Sequence, residues 1–201
     1  MKKKMISFGW LLTAALFTNS QIMAQTSKSW KVDNVHSSVK FSVEHMVISE
    51  VDGNFKNFEG TISNTKDDFT DANINFSVDV NSINTDNSMR DGHLKGEDFF
   101  NAEKFPKMTF KSTSFKKVSA NKYILKGDMT IRNTTKSVTF DVKYGGTAKD
   151  PYGNTKAGFK ATGKINRFDY GLKWNTLTEA GGAMVGKDIN MTLNLEFALN
   201  K

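Results

Sequence analysis

The chain has no cysteine. Disulfides, thiolate metal sites, cysteine nucleophiles and a lipid-modified N-terminal cysteine are therefore excluded. Nucleophile-elbow, P-loop and dinucleotide signatures are also absent. The three histidines, His36, His45 and His93, show neither HxH nor HxxxH spacing, which lowers the case for a histidine metal site. Past the N-terminus no apolar run approaches the roughly 20 residues of a membrane-spanning helix. What remains is a chain of 201 residues, long enough for one domain with an unstapled core.

The first residues read as an export signal. Lys2 to Lys4 form a positive start, Ile6 to Phe17 an apolar stretch, and Ala24 a small residue at the exit. Residues 1–24 are thus expected to be a signal peptide, and 25–201 one domain working outside the cytoplasm. The leader takes three lysines with it, so the formal charge falls from +7 to +4. The remaining lysines are scattered among acids, which argues against nucleic acid as a partner.

The rest alternates with period two, the pattern of strands with one apolar face. Val39, Phe41 and Val43 share a parity; so do Ile74, Phe76, Val78 and Val80. Tyr123, Leu125, Met129 and Ile131 form another set, and Val138, Phe140, Val142 and Tyr144 a further one. Ile189 through Leu199 is the clearest run. Turn signals at Asp52-Gly53, Gly145-Gly146, Pro151-Tyr152-Gly153 and Gly181-Gly182 separate the runs. About eight such strands imply an all-β fold, either a closed antiparallel barrel or a sandwich. Closure has the advantage of removing exposed edges.

Thr85 to Pro106 breaks the alternation. A short helical insertion is expected near residues 86–100, with Asp86 as its cap. Asp86 with Arg90, and Asp91 with Lys95, have ion-pair spacing. Arg90 to His93 reads either as a solvated helix surface or as a charged lip for a polar head group. His45 shares the inward parity, either as a core histidine bonded to a neighbour or as a polar anchor for a ligand. Phenylalanine outnumbers leucine two to one in the mature chain, which suits both a strand-rich core and the lining of a lipid pocket. An eight-stranded barrel can be filled by its side chains or hold one small ligand, and parity does not choose between them.

Taken together, several segments resemble the YceI-like family. They are Trp30 to Asp33, His36-Ser37, Phe41 to His45, Phe58 to Gly60, Ser82 to Thr85, Arg90 to Leu94, Asp98 to Phe100, Gly127 to Ile131 and Asn166 to Gly171. The pattern departs at Arg132, where a glycine is expected. The resemblance implies a lipocalin-like antiparallel barrel, usually periplasmic, that holds an isoprenoid or another long-chain amphiphilic lipid. It implies a binding or carrier role and no catalysis. No cofactor or stable membrane insertion is expected, and the oligomeric state, dimer included, stays open.

The inward parity then nominates a lipid-binding set: Phe41, Val43, Phe76, Val78, Phe110, Leu125, Met129, Phe140, Val142, Phe159, Met191, Leu193 and Leu195. His45, Arg90 and His93 are the polar candidates. The rival readings are an enzyme acting on a lipid through His45 or His93, an outer-membrane barrel, and a packed barrel that binds a protein.

Overall fold

The structure, a computed structural model, describes residues 26–177, 179 and 181–200. The expected signal peptide lies outside them. Eleven strands form one antiparallel sheet. They are β1 (Lys28–Val32), β2 (Ser38–His45), β3 (Ser49–Phe55), β4 (Phe58–Asn64), β5 (Asn73–Asp79), β6 (Ile83–Asn84), β7 (Lys107–Ser119), β8 (Lys122–Ile131), β9 (Thr134–Lys149), β10 (Thr155–Asn166) and β11 (Val185–Leu199). One helix, α1 (Ser88–Lys95), separates β6 from β7.

Register shows that the eleven segments act as eight strands. The first part of β11 pairs with β2 and its end pairs with β1, so β1 and β2 are one strand broken at 33–37. On the far side β2 pairs with β3, and β1 with β4. The β3–β4 unit in turn meets β6 and β5. The order is then an up-and-down meander, and the pairing of β1 with β11 closes it into an eight-stranded barrel. Closure leaves the main ring without the free edge that an open sheet presents.

The inward parity is the expected one. Tyr123, Leu125 and Ile131 of β8 are buried, as are Val138, Phe140 and Val142 of β9. Outward positions carry Lys111, Lys126, Asp141, Lys143, Lys160 and Lys164, all exposed. Such a wall faces water, because lysine on a lipid-facing barrel surface is costly. No helix among the described residues is long and apolar enough to cross a membrane.

Several turns fall elsewhere than expected. Asp52-Gly53 lies inside β3 and Gly145-Gly146 inside β9, where the pairing with β10 slips at Gly158/Phe159. The β2–β3 turn is made by Met46 and Val47, both with positive φ. The helix cap is Asn87, whose side chain accepts from the Arg90 N–H. Asp86 instead accepts from the Asn84 amide.

One end of the barrel is solid. The loop between β4 and β5 turns inward and delivers Phe69, which is 2% exposed, into the bore. Its ring meets Trp30 at 5.3 Å, Phe159 at 5.2 Å and Tyr144 at 5.5 Å between centroids. Phe115 stacks on Tyr123 beside them. The loop is pinned by its own carboxylates: Asp71 accepts from the Thr65 N–H and hydroxyl, and Asp68 from those of Thr70. The Tyr123 hydroxyl donates to the Asp68 carbonyl at 2.8 Å.

A charged clasp holds the break between β1 and β2. Asp33 accepts from Lys156 at 2.6 Å and lies 3.0 Å from His36 Nδ1, and Lys156 also reaches Glu196 at 3.2 Å. The Lys156 ammonium, with help from His36, holds the Asp33 carboxyl well below the usual carboxylate range. Hydrogen bonding to Asp33 raises His36 in turn.

Two outcomes follow. Phe69→Ala should cost about 3–5 kcal/mol in urea denaturation, as for large aromatic truncations in cores; a loss below 1 kcal/mol would show that the plug is not structural. A group with a raised folded-state pKa stabilises fully below its unfolded value, about 6.5 for histidine, and stops as pH rises through the folded value. His36→Gln should therefore lower the unfolding midpoint most near pH 5.5, with the gap narrowing toward pH 9. A gap independent of pH would show that the His36 charge contributes nothing.

Candidate functional site

The other end of the barrel is hollow. A cavity of about 360 Å³ runs from the bore to the connections at this end. That lies within the usual range of ligand pockets, roughly 300–1,000 Å³. Its walls come from all eight strands, and its roof from α1, Phe99, Phe100 and the segment after β10 with Leu172 and Trp174.

Fourteen of the nominated residues meet here. Phe41, Val43, Phe76, Val78, Phe110, Leu125, Met129, Phe140, Met191, Leu193 and Leu195 line the cavity, joined by His45, Arg90 and His93. Val142 and Phe159 do not. Both point inward, but farther along the bore, where Phe159 packs into the aromatic plug and Val142 is buried. Parity reports which face a side chain takes; it does not report its depth in the barrel.

Why the bore is open follows from a recurrent pair. A Cβ added at Gly53 would stand 2.3 Å from the Phe41 ring. At Gly60 it would stand 2.5 Å from Phe76, at Gly127 2.4 Å from Phe110, and at Gly163 2.6 Å from Phe140. In each pair a phenylalanine lies across a glycine on the neighbouring strand. The ring flattens against the wall and leaves the lumen free.

The polar candidates hold the roof. Arg90 donates through Nε to the Thr85 hydroxyl at 2.8 Å and through Nη2 to the Thr85 carbonyl at 2.7 Å. Asp91 accepts from the Thr85 N–H and hydroxyl. These bonds tie α1 to the residue after β6, in place of the ion pairs that the spacing suggested. His93 lines the cavity yet its side chain is 44% exposed, so it marks where the cavity meets solvent. Its ring stands edge-on to Phe99 at 5.1 Å and to Trp174 at 5.2 Å, and its Nε2 lies 3.3 Å from Asp98. His45 is half-buried, with no side-chain hydrogen bond to any described residue, so it is not a core histidine bonded to a neighbour.

Two arginines outside the nominated set complete the roof. Arg167 is 3% exposed and donates to the carbonyls of Leu172, Trp174, Val185 and Gly186. Its place in the Asn166 to Gly171 segment was the available signal. Arg132 stands where the family pattern expects glycine, and its φ of 56° is indeed left-handed. Its guanidinium reaches the carbonyls of Phe99 and Gly171, joining the two roof segments. Phe99, Phe100 and Trp174 were not nominated either, because they sit where alternation stops. Nearby, the buried Tyr170 hydroxyl has no partner among the described residues, and burial pushes its pKa up to about 12.

Among the described residues, Asp33, His36 and Glu196 are the one group spaced to hold a metal ion. The Lys156 ammonium already lies between the two carboxylates.

Residues 30–197 match the YceI-like domain. The chain belongs to the YceI-like family. Curated relatives include UPF0312 proteins of Staphylococcus aureus strains N315 and USA300, each 38% identical over 170 residues, 84% of this chain and 96% of theirs. A crystal structure of a Campylobacter jejuni YceI protein is 34% identical, with a TM-score of 0.65 over 79% of this chain and 90% of its own. At 21% identity, BcnA of Burkholderia cenocepacia shares the fold, with a TM-score of 0.70 over 82% of this chain and 98% of its own. A polyisoprenoid binding domain from Saccharophagus degradans shares it at 13% identity and a TM-score of 0.61, over 85% and 98%.

The ring-on-glycine pairs of this YceI-like barrel can be tested directly. Gly53→Ala should drive the Phe41 ring into the lumen and at least halve the uptake of a fluorescent fatty acyl probe, while the protein stays folded. Gly92→Ala, with nothing within 4 Å of the added methyl, should leave uptake unchanged. Equal uptake by all three proteins would show that the pair does not set the bore.

Proposed function

We infer that this YceI-like protein binds an isoprenoid or another long-chain amphiphilic lipid inside its barrel and carries it in the periplasm. The observation that bears most weight is the apolar cavity itself, walled by phenylalanines laid flat and opening beside His93. Each buried CH₂ contributes about 0.8 kcal/mol, so a chain of ten groups gains nominally about 8 kcal/mol before its lost freedom is counted. Tails alone then hold the guest, and polar groups at the roof set which end stays outside. The polyisoprenoid binding described for the Saccharophagus degradans domain agrees with this reading. The basic and apolar leader, Lys2 to Ala24, supports export.

Binding also suits the histidines better than catalysis does. A general acid or base is usually oriented by a partner. His45 has none among the described residues. His93 has Asp98 at 3.3 Å, but that carboxylate is solvent-exposed, and the His93 ring packs edge-on in a triangle with Phe99 and Trp174.

Native mass spectrometry of gently purified protein is the test. The expected result is an added mass that solvent extraction removes. Leu193→Glu should fold by circular dichroism and yield the bare mass, and Leu193→Trp should carry less lipid. A reproducibly bare wild-type mass, with no uptake of added lipid, would overturn the reading in favour of a barrel that binds a protein.

A further inference from the structure

Nine large apolar side chains are exposed among the described residues, and their distribution is uneven. Six belong to the connections at the cavity end: Met46, Val47 and Ile48 at the β2–β3 tip, Met89 on α1, and Phe168 and Leu177 after β10. The tip is the sharpest projection, with Val47 60% and Ile48 81% exposed. It is braced against the segment holding Leu177. The Met46 N–H donates to the Met184 carbonyl at 2.9 Å, and Leu177 bridges to Ala183. Met184 and His45 also line the cavity, so this surface is continuous with the cavity wall.

The tip is not what its own geometry selects. Met46 and Val47 have φ of 54° and 66°, and the Ile48 N–H bonds back to the His45 carbonyl. Positive φ at both central residues defines a type I′ turn, where Asn-Gly is favoured. A β-branched residue there is an outlier, and a retained outlier points to function. Here strained, water-exposed aliphatic side chains stand where a relaxed polar pair would fit.

We propose that the Met46–Ile48 tip, with Leu177 beside it, inserts into the interface of a lipid bilayer and sets the cavity against the membrane. The proposal rests on the lipid-binding reading: a tail passing between bilayer and cavity must avoid water, and apolar points around the opening shorten that path. The side chains are aliphatic, whereas protein-binding hot spots favour tryptophan, tyrosine and arginine. Charge does not drive the contact. Lys164 and Lys187 border the tip, but so do Glu44, Glu50 and Asp188, and Lys164 pairs with Asp188 at 3.6 Å. Insertion is therefore hydrophobic, and raised salt leaves it intact.

The test is co-sedimentation of the purified protein with phosphatidylcholine vesicles at low and high salt. The wild type should bind at both. Val47→Asp/Ile48→Asp should reduce vesicle-bound protein at least tenfold, while Tyr152→Asp, at the opposite end, should bind as the wild type does. Met46→Asn/Val47→Gly separates structure from docking, because it should unfold at a higher temperature yet bind vesicles less. No binding by the wild type, equal binding by the tip variants, or a dimer without vesicles that the tip variants break would each overturn the proposal. The lipid-binding reading fails separately: a wild type that binds vesicles but neither holds nor takes up lipid would sink that reading and leave docking in place.

Discussion

Four phenylalanine rings lie flat across four glycines, and the hollow half of this barrel depends on that contact. Eight strands give a bore of borderline width, which side chains can fill. Phenylalanine standing upright at 41, 76, 110 and 140 would fill it. Removing the Cβ from the facing strand lets each ring lean sideways, so an aromatic interior coexists with an open lumen. The glycines therefore act through the space they give a neighbour, and none of the four has the left-handed backbone for which glycine is usually chosen.

The two ends are built by different chemistry. At the solid end, aromatic rings interlock around Phe69 and polar groups serve to pin the loop that carries it. At the hollow end there is no such plug, so the roof is held by cations on backbone carbonyls: Arg90 on Thr85, Arg132 on Phe99 and Gly171, and Arg167 on four residues. Carbonyl partners suit this place. They satisfy a buried guanidinium without a carboxylate partner of its own. The residues that a sequence reader would assign to head-group binding are thus largely committed to architecture, Arg90 above all.

The barrel was legible because period two survives wherever one face is buried, as in β11 from Ile189 to Phe197. Depth along the bore is not legible from parity, which puts Val142 and Phe159 with the lining although they belong to the packed half. Glycine was the main source of misplaced turns. Gly53 serves a ring in mid-strand, and a single chain cannot distinguish that role from a turn. The true β2–β3 turn was hidden because Met46 and Val47 carry no turn chemistry. Phe69, Phe99 and Trp174 were missed for a shared reason: they act from loops, where no periodicity reveals which way a side chain faces.

The plug at Phe69 makes the barrel a blind tube. A guest in such a tube must retrace its entry path, so a chain that goes in tail first comes out head first. Entry and exit then share one doorway. On the proposed carrier reading, transfer would be a shuttle between two encounters and not a conduit joining two surfaces at once.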